Sequence, residues 1–153
     1  MSKQREVLPA VLDMVRRHAP DAALCLAGSV AMGYEVPESD IDVLVFSSDA
    51  NALTFPEAVV REQVDGFKFV DTTVQGVPVE LLCSTPRWFE NLVVSRPWRG
   101  YKFLQFQVVH DPDGLIQSWR DRISPWFDDH PDVVDLYKRW MSEWRRRSTT
   151  RGK

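Results

Sequence analysis

The sequence predicts an α+β (α/β) domain, a mixed β-sheet flanked by helices and completed by C-terminal helices. Three observations carry that expectation. A helical apolar period at residues 3–18 gives way to short apolar runs at 23–27 and 40–46. Two further runs, at 67–74 and 77–83, flank Gln75-Gly76 and read as a β-hairpin. The last third carries Asp128, Asp129 and Asp132 ahead of Arg145, Arg146 and Arg147, a polarity that suits a helix dipole.

The elements follow in order. Val7, Leu8, Val11, Leu12 and Val15 recur at helical spacing, and Pro20 closes that helix. Residues 23–27 form a buried strand ending at Gly28. Gly28-Ser29 breaks the chain, a short helix is expected at 30–34, and Pro37-Glu38-Ser39 makes a turn. Residues 40–46, DIDVLVF, give the strongest strand signal. A helix is expected at 55–63, then the hairpin. Pro86 opens a helix running to about residue 94, and Pro97 stops it. Residues 103–110 read as a strand. Asp111-Pro112-Asp113-Gly114 is a turn that offers Asp111 as N-cap and Pro112 as first helical residue. Helices near 114–127 and 132–147 complete one domain, divided into a core of residues 1–112 and a helical extension of residues 113–153.

A chain of 153 residues buries roughly 70% of its unfolded surface without disulfides or structural metal. The net charge of -3 argues against general binding to nucleic acid or membrane. Cys25 and Cys83 sit in apolar runs and read as buried free thiols. The N-terminal MSKQREV lacks the apolar stretch of a signal peptide, and the weakly polar run at 23–33 falls short of the ~20 residues that cross a bilayer. A cytoplasmic protein is the expectation. His18, His110 and His130 do not fall at metal-ligand spacing.

The chemistry lies between residues 24 and 83. Gly28 has no side chain to block a phosphate, Ser29 offers a hydroxyl, and the next amides open a helix. Ten residues after Ser29, Asp40 and Asp42 lie two apart on a strand and so share a face. Paired carboxylates repel unless a cation lies between them, and hard oxygen ligands beside a phosphate site favour Mg²⁺. Glu80, an acid within an apolar strand, is the best candidate for a third ligand; Glu57 and Asp71 are weaker alternatives.

This pattern resembles the DNA polymerase beta-like nucleotidyltransferases: Gly-Ser, about ten residues, Asp-x-Asp on a strand, then a later acid on a neighbouring strand. The resemblance covers roughly residues 22–83 and extends loosely to the 110–114 turn. It implies two Mg²⁺ ions, with Mn²⁺ as a substitute, on Asp40, Asp42 and Glu80, which are also the catalytic residues. It implies triphosphate binding by Gly28 and Ser29, and Ser39 is grouped with them. A nucleoside monophosphate would pass from a nucleoside triphosphate, taken as ATP, to an acceptor, with pyrophosphate leaving.

Two subfamilies are similar in different ways. Small antibiotic-modifying nucleotidyltransferases carry an acidic turn like Asp111-Pro112-Asp113-Gly114, which implies a hydroxyl on an aminoglycoside-like acceptor. Minimal nucleotidyltransferases of toxin–antitoxin pairs share the Gly-Ser-x₁₀-Asp-x-Asp spacing, and would modify a partner toxin protein. Those commonly carry a basic residue just after Gly-Ser, where this chain has Val30. A nucleotide-binding module without turnover is the third reading. A homodimer could complete the acceptor site. Trp140 and Trp144, four apart with Tyr137 nearby, offer an aromatic helix face for packing, for the acceptor or for a second subunit. The basic tail from Arg145 to Lys153 reads as a frayed terminus.

Overall fold

The computed structural model describes the backbone of residues 1–151 and side chains through Arg147. Helix α1 (Lys3–His18) starts at an N-cap, Ser2, whose side chain accepts from the Arg5 amide. Strand β1 (Ala23–Ala27) leads directly into a single helical turn, α2 (Gly28–Met32). Strand β2 (Ile41–Phe46) follows after the 33–40 loop. Then come β3 (Val59–Val64), β4 (Phe67–Val74) and β5 (Val77–Ser84). Helix α3 (Pro86–Phe89), capped by Thr85, continues as a π-helical turn over Glu90–Val94. Helix α4 (Tyr101–Gln105), strand β6 (Gln107–His110), α5 (Leu115–Asp128) and α6 (Pro131–Arg151) complete the described chain.

The six strands form one mixed sheet in the order β3-β4-β5-β2-β1-β6. Only β2 and β5 pair in parallel; the other neighbours are antiparallel. The hairpin at Gln75-Gly76 forms as expected, with Gln75 and Gly76 both at positive φ (50° and 81°). Alternation along each strand divides the core into two layers. Val7, Val11 and Val15 of α1 pack on the face carrying Ile41, Val43, Val79 and Leu81. Trp119 and Ile123 of α5 pack with Phe89 and Phe103 on the face carrying Cys25, Leu44 and Phe46. Cys25 and Cys83 are buried and free, and burial pushes both thiols up to about 12, so neither is a reactive thiolate. Among the described residues no helix is long and apolar enough to cross a membrane.

Four local expectations are corrected. The segment expected as a helix at 55–63 contains strand β3 instead. Asp65-Gly66, with Gly66 at φ 91°, closes a second hairpin onto β4, and the edge strand's fully exposed face shows no apolar alternation to read. The strand expected at 103–110 divides: Tyr101 and Phe103 are drawn into the α5 layer as helix α4, and only Gln107–His110 extends. Helix α5 begins at Leu115 behind Gly114 (φ 68°), so Pro112 lies outside it. Asp111 still caps it, from a distance, its carboxylate accepting from the amides of Ile116 and Gln117 at 3.0 Å each. Finally, Arg145, Arg146 and Arg147 belong to α6 rather than to a frayed end; Gly152 and Lys153 of that tail lie outside the described residues.

Candidate active site

The register places the acids. Asp42 on β2 pairs with Glu80 on β5, and Glu80 pairs in turn with Asp71 on β4. Even-numbered residues of β2 and β5 share one face, so Asp42 and Glu80 project together. Asp40 enters from the loop just before β2. One oxygen from each of Asp40, Asp42 and Glu80 lies within 4.8 Å of the others, and among the described residues this is the group able to hold a metal ion. Glu57 sits in a turn at φ 53°, outside the cluster.

The glycine-serine bend is in contact with this cluster. Ala27 of β1 is the register partner of Asp42, which brings the next residue, Gly28, beside the Asp42 side chain. Gly28 has φ 66°, and a Cβ there would come within 2.1 Å of Asp42 Oδ2. Only glycine fits, both for its left-handed conformation and for the space. Ser29 follows it at the start of α2.

Two polar residues of α1, the buried Gln4 and the half-buried Arg5, hold the loop that delivers Asp40. Gln4 is 2% exposed and its Nε2 reaches the carbonyls of Val36, Pro37 and Ser39 at 2.9, 3.2 and 2.8 Å. Arg5 donates to Glu35 Oε1 at 3.0 Å and to the Val30 carbonyl at 2.6 Å. The Ser39 hydroxyl accepts from the Val36 amide at 2.9 Å, which leaves its hydrogen as the group it offers to a ligand.

The electrostatics fit a cation. Burial first, then the neighbouring Asp40 and Glu80 carboxylates, push Asp42 up to about 8. Its Oδ1 is buried and accepts no hydrogen bond. A carboxylate oxygen held this way, among other carboxylates and away from any donor, suits a hard divalent ion. Glu80 is held from the other side by Arg61 of β3, which also pairs with Asp71 at 3.1 Å.

A cavity of about 640 Å³ opens over the bend and the paired aspartates. Gly28, Ser29, Ser39, Asp40 and Asp42 form its floor, and Tyr34, Lys102, Trp140 and Trp144 line it as well. Trp140 and Trp144 lie 6.0 Å apart at 25°, each nearly half exposed. The Lys102 ammonium sits 4.6 Å from the Trp140 ring centre. The aromatic face of α6 is thus a wall of this cavity.

Sequence reasoning missed Gln4, Arg61 and Lys102. Gln4 had a signal, since it continues the Val7, Val11, Val15 stripe and so had to be a buried polar group with work for its amide. Arg61 was hidden by the helix expected over it. Lys102 carries no motif and is brought in only by α4.

No curated protein matches the chain. A family model described as a nucleotidyltransferase domain matches residues 8–107. The matched span runs from α1 to the start of β6 and includes the bend, the three acids and Lys102. By this match and by the mixed sheet that carries the acids, the chain belongs to the nucleotidyltransferase domain family, enzymes that transfer a nucleoside monophosphate from a nucleoside triphosphate.

Proposed function

We propose that this enzyme moves a nucleoside monophosphate from a nucleoside triphosphate, ATP among them, onto a hydroxyl of a small-molecule acceptor. The observation that carries the reading is the close approach of the Gly28 backbone to the carboxylate of Asp42, which joins the glycine-serine bend to the acid cluster. Asp40, Asp42 and Glu80 would hold Mg²⁺, two ions in the reading favoured here. Bound there, the metal supplies charge neutralisation at the phosphates and polarises the reacting oxygens.

The protein's own groups do the rest. Gly28 lets the β- and γ-phosphates approach the backbone, while Ser29 and Ser39 offer hydroxyl donors and Lys102 a positive charge. Trp140 and Trp144 give the base a flat surface to stack on. The acceptor oxygen bonds to the α-phosphorus as the α–β bridging P–O bond breaks. Pyrophosphate leaves with that electron pair, and the hydroxyl proton passes to a carboxylate of the cluster, a role given in this reading to Glu80. Positioning and charge complementarity supply most of the rate.

The test is to incubate the protein with α-labelled nucleoside triphosphates, Mg²⁺ and a small-molecule extract. A labelled small molecule is expected with the parent chain and none with Asp42→Asn. Labelling by the Asn variant at the parent rate would remove the metal assignment.

A further inference from the structure

The carboxylate face of the sheet continues into a second, apolar groove of about 420 Å³. The register shows how near it lies. Asp42, Glu80 and Asp71 form one lateral row across β2, β5 and β4; Leu44, Leu82 and Phe69 form the next row on the same face. Two residues along a strand span about 6.6 Å. Leu44, Leu82, Phe69, Phe67, Trp88 and Leu92 line the groove, whose outer wall is the stacked pair of Phe67 and Trp88, 4.2 Å apart.

The chemistry says which reactant comes from that side. In-line displacement requires the entering hydroxyl to approach the α-phosphorus opposite the leaving pyrophosphate. The bend that takes the pyrophosphate lies at the end of β1, on one side of β2. The opposite side of β2 is β5, where Glu80 stands and where the groove begins. We infer that this groove holds the body of the acceptor, and that the acceptor is a small molecule with an apolar, ring-bearing portion next to its reactive hydroxyl. This rests on the nucleotidyl-transfer reading above. A polycationic amino sugar is disfavoured, because Glu62, Gln63 and Ser84 are the polar residues among a lining that is otherwise aliphatic and aromatic, too few to replace the water its many hydroxyls and ammonium groups would lose. The groove's volume is that of a small-molecule site.

Phe69 and Leu92 are half-buried, so polar substitutions there are compatible with folding, which retained α-labelled ATP binding verifies. The product labelled in extract is cleaved with phosphodiesterase, and the freed acceptor is partitioned between octanol and water. It is expected in octanol, and Leu92→Asp and Phe69→Asn are expected to raise its KM about tenfold or more at unchanged ATP affinity. A freed acceptor that stays in water, a labelled protein, or an unchanged KM in both variants would overturn the inference while leaving nucleotidyl transfer intact. Absence of any labelled product would instead count against the transfer reading. The groove is then judged by 4-phenylbutanol alone, whose saturation-transfer signal is expected with the parent and lost in Leu92→Asp; no signal with the parent overturns the inference.

Discussion

Gly28 and Asp42 occupy each other's space: a single added carbon at Gly28 would lie 2.1 Å from Asp42 Oδ2. The glycine-serine bend and the Asp42 carboxylate are therefore one unit, built by the pairing of Ala27 with Asp42 across β1 and β2. Gly28→Ala should displace Asp42 and cost about a hundredfold or more in turnover. The left-handed φ adds about 1 kcal/mol or more of lost stability. Steady-state rates and urea melts of the variant check both.

Asp42 makes cation-free stability depend on pH. Its folded-state value is raised from 3.8 to about 8. Below pH ~4 both folded and unfolded chains hold the proton, so there is no penalty. As pH rises towards about 8, the unfolded chain releases it first and stability falls by ~1.4 kcal/mol per pH unit, with an upper bound of about 6 kcal/mol over the whole range. Melting in EDTA should show that decline between pH 5 and 8. Mg²⁺ should reverse it, and Asp42→Asn should flatten it.

Arg61 competes for the carboxylate it holds. It pairs with Glu80 and Asp71 at an exposed position, so Arg61→Met should leave stability nearly unchanged. Removing a positive charge beside the acid cluster should tighten Mg²⁺ binding by about two- to tenfold at low salt. Calorimetric titration with Mg²⁺ alone measures it; weaker binding in the variant would mean that Arg61 positions Glu80 rather than competing for it.

Gln4 acts at a distance from the reaction. Gln4→Leu leaves the carbonyls of Val36, Pro37 and Ser39 without their buried donor, at a cost of about 1–3 kcal/mol. Because that loop delivers Asp40, Mg²⁺ affinity should fall with it. Normal Mg²⁺ affinity in a destabilised variant would confine Gln4 to a structural role.

The tryptophan wall should show itself in nucleotide binding. Trp140→Ala is expected to weaken ATP binding by the ~1–3 kcal/mol of a lost base stack. Inorganic tripolyphosphate, which has no base, should bind both proteins alike. Equal losses for the two ligands would assign Trp140 to holding α6 in place.

The sequence carried the site further than it carried the sheet. Gly28, Asp40, Asp42 and Glu80 were legible because each breaks its surroundings: a glycine ending an apolar strand, and acids within β-branched runs. Strands β1, β2, β4 and β5 were legible because their apolar runs are bounded by turns. Strand β3 was not, since an edge strand exposed on both faces has no alternation to detect. With it went Arg61 and its ion pairs to Glu80 and Asp71. The cavity wall at Trp140 and Trp144 was visible only as a helical spacing; its place over Asp42 depends on how α6 folds back, which no local pattern encodes.

The most direct measurement uses ATP labelled separately at the α- and γ-phosphates, with Mg²⁺ and extract. The α label should appear on the acceptor while the γ label leaves in intact pyrophosphate, and Asp42→Asn should do neither. Transfer of the γ label to the acceptor, or α transfer undiminished in Asp42→Asn, would contradict nucleotidyl transfer by these carboxylates.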